Sequence, residues 1–158
     1  MALKRLTSEY KGFLKDPNYY YSIAPTDDFL RWNFSIIGPP DTFYEFGIFP
    51  GYINFTSEYP NKAPDVVFSM DMIHPNIYKN GKVCISILHE GTDQYGYESD
   101  MERWLPTHGV NTIMMSIISL LSSPNFESPA NIDASKLWKD NIEDYKKVIY
   151  QLVSKTQT

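Results

Sequence analysis

The sequence predicts an α+β fold in which helices pack against one antiparallel sheet, and three observations support it. An amphipathic helical pattern opens the chain, four aromatic and β-branched runs follow in close succession, and helical periodicity returns only after Pro106. The connectors between the runs are too short for the crossover helices that a parallel sheet needs. At 158 residues and 42% hydrophobic composition the chain can bury one core without staples. Residues 1–158 are therefore expected to form a single domain with no long N- or C-terminal extension.

The first helix spans residues 3 to 15, where Leu3, Leu6, Tyr10, Phe13 and Leu14 form one stripe and Lys4, Arg5, Lys11 and Lys15 lie off it. Asp16-Pro17-Asn18 ends it, because proline cannot continue the hydrogen-bond ladder. Strands are expected over Tyr19–Ala24, Leu30–Ile37, Phe46–Thr56 and Asp65–Met70, separated by proline-rich turns. Residues 71 to 107 show little periodicity, and a long irregular segment in a small domain is usually functional. Val110, Ile113, Met114, Ile117, Leu120 and Leu121 then mark an apolar helix stopped by Ser123-Pro124-Asn125. A short helix covers Ile132 to Trp138, and the last begins at Asp140 with Glu143 completing a capping box.

Composition excludes several classes of function. Fourteen Lys and Arg against nineteen Asp and Glu give a net charge of −5, the wrong sign for a protein that grips nucleic-acid phosphates. Ile113–Leu121, the longest apolar region, is broken by Ser116 and Ser119, so direct membrane insertion is not expected. The N-terminus lacks the apolar core of a signal peptide, and a lone cysteine, Cys84, cannot form an internal disulfide. A reducing compartment is expected. There is no phosphate-binding glycine loop, and His74, His89 and His108 are too scattered to predict a metal site.

The candidate site is the run His74-Pro75-Asn76-Ile77-Tyr78-Lys79-Asn80-Gly81-Lys82-Val83-Cys84. Asn80-Gly81 signals a tight turn that brings Cys84 back towards Asn76. A thiol supplies a nucleophile or leaving group, and an amide N–H can stabilise an oxyanion beside it. On residue chemistry alone, Cys84 can equally be a small buried hydrophobe.

The string changes that balance. His74-Pro75-Asn76, with Cys84 eight residues after the asparagine in Val-Cys-Ile-Ser-Ile-Leu, closely resembles the active site of ubiquitin-conjugating enzymes. Gly38-Pro39-Pro40-Asp41-Thr42, Tyr44-Glu45, Tyr59-Pro60, Trp104-Leu105-Pro106 and Ser123-Pro124-Asn125 follow in that family's order and spacing. His89-Glu90 through Arg103-Trp104 and Ser128-Pro129-Ala130-Asn131 resemble its G-type subgroup, which carries an acidic loop after the cysteine.

The resemblance implies the ubiquitin-conjugating fold: an N-terminal helix, a four-stranded meander and three further helices. It implies that Cys84 accepts ubiquitin as a thioester from an activating enzyme, which consumes the ATP, and that no cofactor is stably bound. A lysine amine of a protein substrate or of another ubiquitin then attacks. Asn76 either stabilises the oxyanion or holds the surrounding loop; His74 is structural; Tyr78 either lies near the incoming lysine or simply packs. Where many relatives carry an aspartate that helps to position and deprotonate the lysine, this chain has Ser128, leaving the task to Glu127, to the acidic loop, or to bound ubiquitin and a ligase. Phe46 and Ala63 also depart from the usual Gly-Gly and Pro-Pro pairs.

The acidic loop carries Glu90, Asp93, Glu98, Asp100 and Glu102 and no Lys or Arg, a local charge of −5. It is either a solvated face or a mobile flap that draws in the lysine and orients ubiquitin. By position, Lys4, Arg5, Asn61, Lys62, Pro106 and Thr107 form the surface for activating enzymes and ligases. Asn61, where partners of HECT-type ligases usually have a large aromatic, points to RING-type ligases, and the resemblance to the G-type subgroup implies the building of polyubiquitin chains. Ser22 matches a position on the sheet's outer face where some relatives bind a second ubiquitin. The implied location is cytoplasmic, with the nucleus or the endoplasmic reticulum surface reached through partners. Two other classes compete: a papain-like hydrolase with His74, His89 or His108 as base, and a noncatalytic adaptor, which Cys84 disfavours.

Overall fold

A computed structural model describes residues 1–157 of the chain. Its order is α1 (Ala2–Lys15), β1 (Tyr21–Pro25), β2 (Arg31–Ile37), β3 (Ile48–Asn54), β4 (Asp65–Phe68), α2 (Val110–Ser122), α3 (Ile132–Asp140) and α4 (Ile142–Lys155). The strands form one antiparallel sheet in the order β1-β2-β3-β4, the expected meander. Trp32, Phe34 and Ile36 alternate inward with Phe49 and Ile53, and Leu6, Ile113, Ile117, Tyr145 and Ile149 close the core from the helices. Ser22, Ala24, Asn33 and Pro50 lie exposed on the other face. Among the described residues no helix is long and apolar enough to cross a membrane.

Several boundaries differ from expectation for local reasons. The first strand begins at Tyr21 rather than Tyr19, because Asn18 Oδ1 accepts from Tyr20 N in a turn. The third begins at Ile48 rather than Phe46, whose φ of 73° belongs to a turn closed by Gly47 N donating to Tyr44 O. The last helix is capped by Asn141, not Asp140. Asn141 Oδ1 accepts from Asp144 N at 3.2 Å and its Nδ2 donates to Asp144 Oδ2 at 2.7 Å. No capping box forms with Glu143, which pairs instead with Lys146.

Two long-range ties fix the frame around the site. Glu9 on α1 caps α2 from outside, its Oε1 accepting from Val110 N at 2.7 Å. Gly109 permits this approach, since a Cβ there would collide with the Glu9 carboxylate. The Tyr44 and Tyr145 hydroxyls meet at 2.6 Å and lie 2.6 and 3.1 Å from Ile73 O; with one hydrogen each, one donates to that carbonyl and the other to its neighbour's oxygen, pinning the chain just before His74.

Candidate active site

The segment from 71 to 107 is more ordered than its sequence suggests. Asn80-Gly81 forms the expected turn: Gly81 N donates to Tyr78 O, Tyr78 N to Lys82 O, and Cys84 N to Asn76 O at 2.9 Å. Gly81 takes φ 94°, and a Cβ there would strike Phe68 O, so the position requires glycine. Phe68 N to Gly81 O and Val83 N to Val66 O then fasten the turn to β4.

His74 is fully buried and keeps both ring nitrogens on backbone. Asn76 N donates to Nδ1 at 3.0 Å, which leaves the proton on Nε2 to be donated to Leu120 O at 2.7 Å. Burial lowers its pKa to about 4, against a smaller upward pull from the Leu120 carbonyl. Asn76, also buried, grips the loop after α2: Nδ2 donates to Asn125 O at 2.7 Å and Oδ1 accepts from Asn125 N at 2.8 Å. Of the two roles open to Asn76, this is the loop-holding geometry.

Asn125 in turn accepts from Glu127 N, which leaves Glu127 and Ser128 exposed on that loop, Ser128 with a left-handed φ of 50°. Tyr78 is exposed on the turn.

Cys84 is a free thiol, partly exposed at the end of the turn. The side chain that contacts its sulfur is His89, which the sequence offers only as a candidate hydrolase base. The 3-10 turn Ser86–Leu88 carries the chain back so that His89 Nε2 lies 3.7 Å from Cys84 Sγ. His89 Nδ1 lies 2.9 Å from Glu98 Oε1, and Arg103 Nη1 lies 2.5 Å from the same oxygen. The missed signal was the five-residue spacing from Cys84 to His89, together with Arg103 as the first cation after the acidic run.

The acidic loop is not a row of free carboxylates. Asp93 accepts from Tyr95 N, Tyr97 N and Glu98 N, bonds that hold its pKa below the usual carboxylate range. Burial alone would raise Glu98, but hydrogen bonds from Ser86 and His89 with the charges of His89 and Arg103 outweigh it and hold it low. Arg103 folds back to donate to Gly91 O and Glu90 O, and Glu90 accepts from Ala63 N. Asp100 and Glu102 remain, exposed and with no carboxylate partner among the described residues.

The predicted partner surface divides similarly. Lys4, Asn61, Lys62, Pro106 and Thr107 are exposed, with Lys62 loosely paired to Glu58 at 3.3 Å. Arg5 is a strut rather than a presented charge. It donates to Pro106 O at 2.9 Å, His108 O at 2.8 Å and Glu9 at 3.1 Å, and so positions Pro106 and Thr107. Ser22 lies on the outer face of β1, opposite Ser35.

Residues 5–153 match the family model described as "Ubiquitin-conjugating enzyme". The chain is 47% identical over 158 residues to ubiquitin-conjugating enzyme E2 G2 of Bos taurus, covering 98% of this chain and 96% of that protein. It is 48% identical over 155 residues to ubiquitin-conjugating enzyme E2 7 of Arabidopsis thaliana, with 96% and 93% coverage. A probable ubiquitin-conjugating enzyme E2 7 of Caenorhabditis elegans is 50% identical over 136 residues, covering 85% and 83%.

Proposed function

The chain belongs to the ubiquitin-conjugating enzyme family, and we propose that it carries ubiquitin as a thioester on Cys84, passes it to lysine amines with a RING-type ligase, and builds polyubiquitin chains. Ubiquitin, an activating enzyme and a ligase are the partners this family has in general. The carrying observation is the position of Cys84, the one thiol of the chain, partly exposed at the end of a turn whose backbone is fastened to the core.

In loading, the Cys84 sulfur attacks the ubiquitin carbonyl held by the activating enzyme, and the donor cysteine leaves. ATP is spent upstream, and no cofactor is needed at this site. In discharge, a neutral lysine amine attacks the thioester, the C–Sγ bond breaks, and Cys84 leaves as a thiolate. The lysine must first lose its proton. Ser128 cannot accept it as a carboxylate would, so that step falls to Glu127, to the acidic loop or to groups brought by partners. The RING assignment rests on Asn61, exposed where a HECT partner would meet an aromatic. The protein works in the cytoplasm and reaches the nucleus or the endoplasmic reticulum surface through its partners.

The test is incubation with activating enzyme, ubiquitin and ATP, followed by a non-reducing gel. A thiol-sensitive adduct that Cys84→Ala abolishes and Cys84→Ser converts to a stable oxyester supports the proposal; no adduct overturns it. Efficient transfer to the cysteine of a HECT ligase would overturn the RING assignment.

A further inference from the structure

We propose that His89 accepts the Cys84 thiol proton during ubiquitin loading, with Glu98 as its positioning residue. This rests on Cys84 being the thioester site. The placement begins in the backbone. Leu88 N donates to Ile85 O and His89 N to Ser86 O, so the chain turns sharply after the cysteine. His89 O then accepts from Trp104 N at 2.8 Å, and the Trp104 indole donates to Pro60 O at 2.8 Å, which fixes the ring's origin against the core.

The hydrogen-bond partners determine the tautomer. A carboxylate only accepts, so Nδ1 carries the hydrogen that Glu98 Oε1 receives at 2.9 Å. In neutral imidazole the lone pair is then on Nε2, the atom 3.7 Å from Cys84 Sγ. Arg103 holds Glu98 from the far side while its remaining donors reach Gly91 O and Glu90 O. The titratable and charged groups facing the ring are Cys84 from the turn and Glu98, with Arg103 behind it, from the loop. The other histidines do not compete. His74 spends both nitrogens on backbone, and His108 packs its ring against Trp104 at 5.7 Å.

The step balances without a further reactant. The S–H bond breaks and its proton moves to His89 Nε2 as the sulfur attacks the carbonyl carbon of ubiquitin on the activating enzyme. The new C–Sγ bond forms, the bond to the donor cysteine breaks, and that departing thiolate takes the proton from the imidazolium. His89 returns to its starting tautomer, and nothing is oxidised or reduced. An ordinary thiol is a few per cent ionised at pH 7, so complete assistance is worth about 30-fold there and nothing once the thiol ionises unaided.

That ceiling defines the experiment. Alkylation of Cys84 by iodoacetamide is followed from about pH 6 to 9.5, and single-turnover loading from the activating enzyme is followed at neutral pH. Wild type, His89→Gln and Glu98→Gln are compared, with circular dichroism to check folding. His89→Gln is expected to slow both reactions roughly tenfold at pH 7, with the alkylation deficit closing near pH 9.5. Glu98→Gln is expected to give a several-fold deficit of the same pH shape, and decides the matter should His89→Gln fail to fold. Wild-type rates in a folded variant, or a deficit equal at every pH, would overturn the proposal, the latter marking mere displacement of the turn. If the thiol shows the expected profile but no thioester forms, the thioester reading fails and thiol activation stands. If the thioester forms at the wild-type rate in His89→Gln, the reverse holds.

Discussion

The segment before Cys84 and the segment after it are held by different means. Before the cysteine, His74 and Asn76 are buried and spend their side chains on the backbone of α2 and of the loop that follows it. After it, Glu90 to Arg103 is mostly exposed and folds about its own charges: Asp93 gathers three backbone amides, and Arg103 joins Glu98 to two carbonyls. Uncharged bonds sheltered from water should resist salt and share the stability of the core. Bonds made by the half-buried charges of a surface loop are more open to screening and should form a unit that opens by itself. The thiol thus sits between a segment tied to the core and a surface loop held by its own charges.

The largest expected effect breaks the core-tied segment by protonation. The His74 pKa falls from an ordinary 6.5 to about 4 in the folded chain, so the unfolded chain binds the extra proton between those values. The stabilisation is therefore fully present above pH 6.5 and is lost as pH falls towards 4. The contribution is about 3 kcal/mol across that window, read as a drop in the urea midpoint between neutral and acidic buffer. A midpoint independent of pH over that range would mean that His74 is not held neutral.

Next in size is Asn76→Ala, which removes two sheltered hydrogen bonds and leaves Asn125 N and O without partners. The expected loss is about 2 kcal/mol, measured by urea unfolding, with thioester loading spared and discharge to lysine slowed. Equal slowing of both steps would show that Asn76 acts on the thiol itself rather than on the far loop.

On the charged side the stability effect should be smaller. Arg103→Ala removes the contact to Glu98, whose side chain is 18% exposed beside an arginine at 14%. About 1 kcal/mol or less is expected in global stability, since partly solvated pairs contribute little. Hydrogen exchange should instead show protection lost across Gly91 to Glu102 alone, a difference from the wild type that narrows as salt rises. A global loss as large as that of Asn76→Ala would erase the contrast between the two segments.

The same contrast governs what could be read from sequence. The meander, the helices and the Asn80-Gly81 turn were legible because each follows from a local rule: period-two alternation, a helical stripe, a glycine needed at positive φ. The cap at Asn141 was one residue off because Asp140 and Asn141 both satisfy that rule and only the geometry chooses. The acidic loop was not legible. Counting its charges gave −5, but composition cannot reveal that Arg103 turns back or that Asp93 serves as a scaffold. The contacts of Arg5 were equally hidden: the helical stripe places this cation off the apolar face, and only the tertiary fold supplies the carbonyls of Pro106 and His108.

The smallest effect isolates what the acidic loop still offers to a partner. Asp93, Glu98 and Glu90 are committed to internal bonds, so neutralising them would disturb loop shape and charge together. Asp100 and Glu102 are exposed and have no side-chain partner among the described residues, so replacing them by Asn and Gln changes charge alone. If the loop attracts the lysine of an acceptor, this double variant should load ubiquitin at the wild-type rate. Free polyubiquitin chains should form a few-fold more slowly, in keeping with the modest strength of exposed charges. The deficit should shrink as salt rises, because screening removes from the wild type the same attraction the substitutions remove. A deficit unchanged by salt, or one shared by loading, would assign these carboxylates to contacts other than steering the amine.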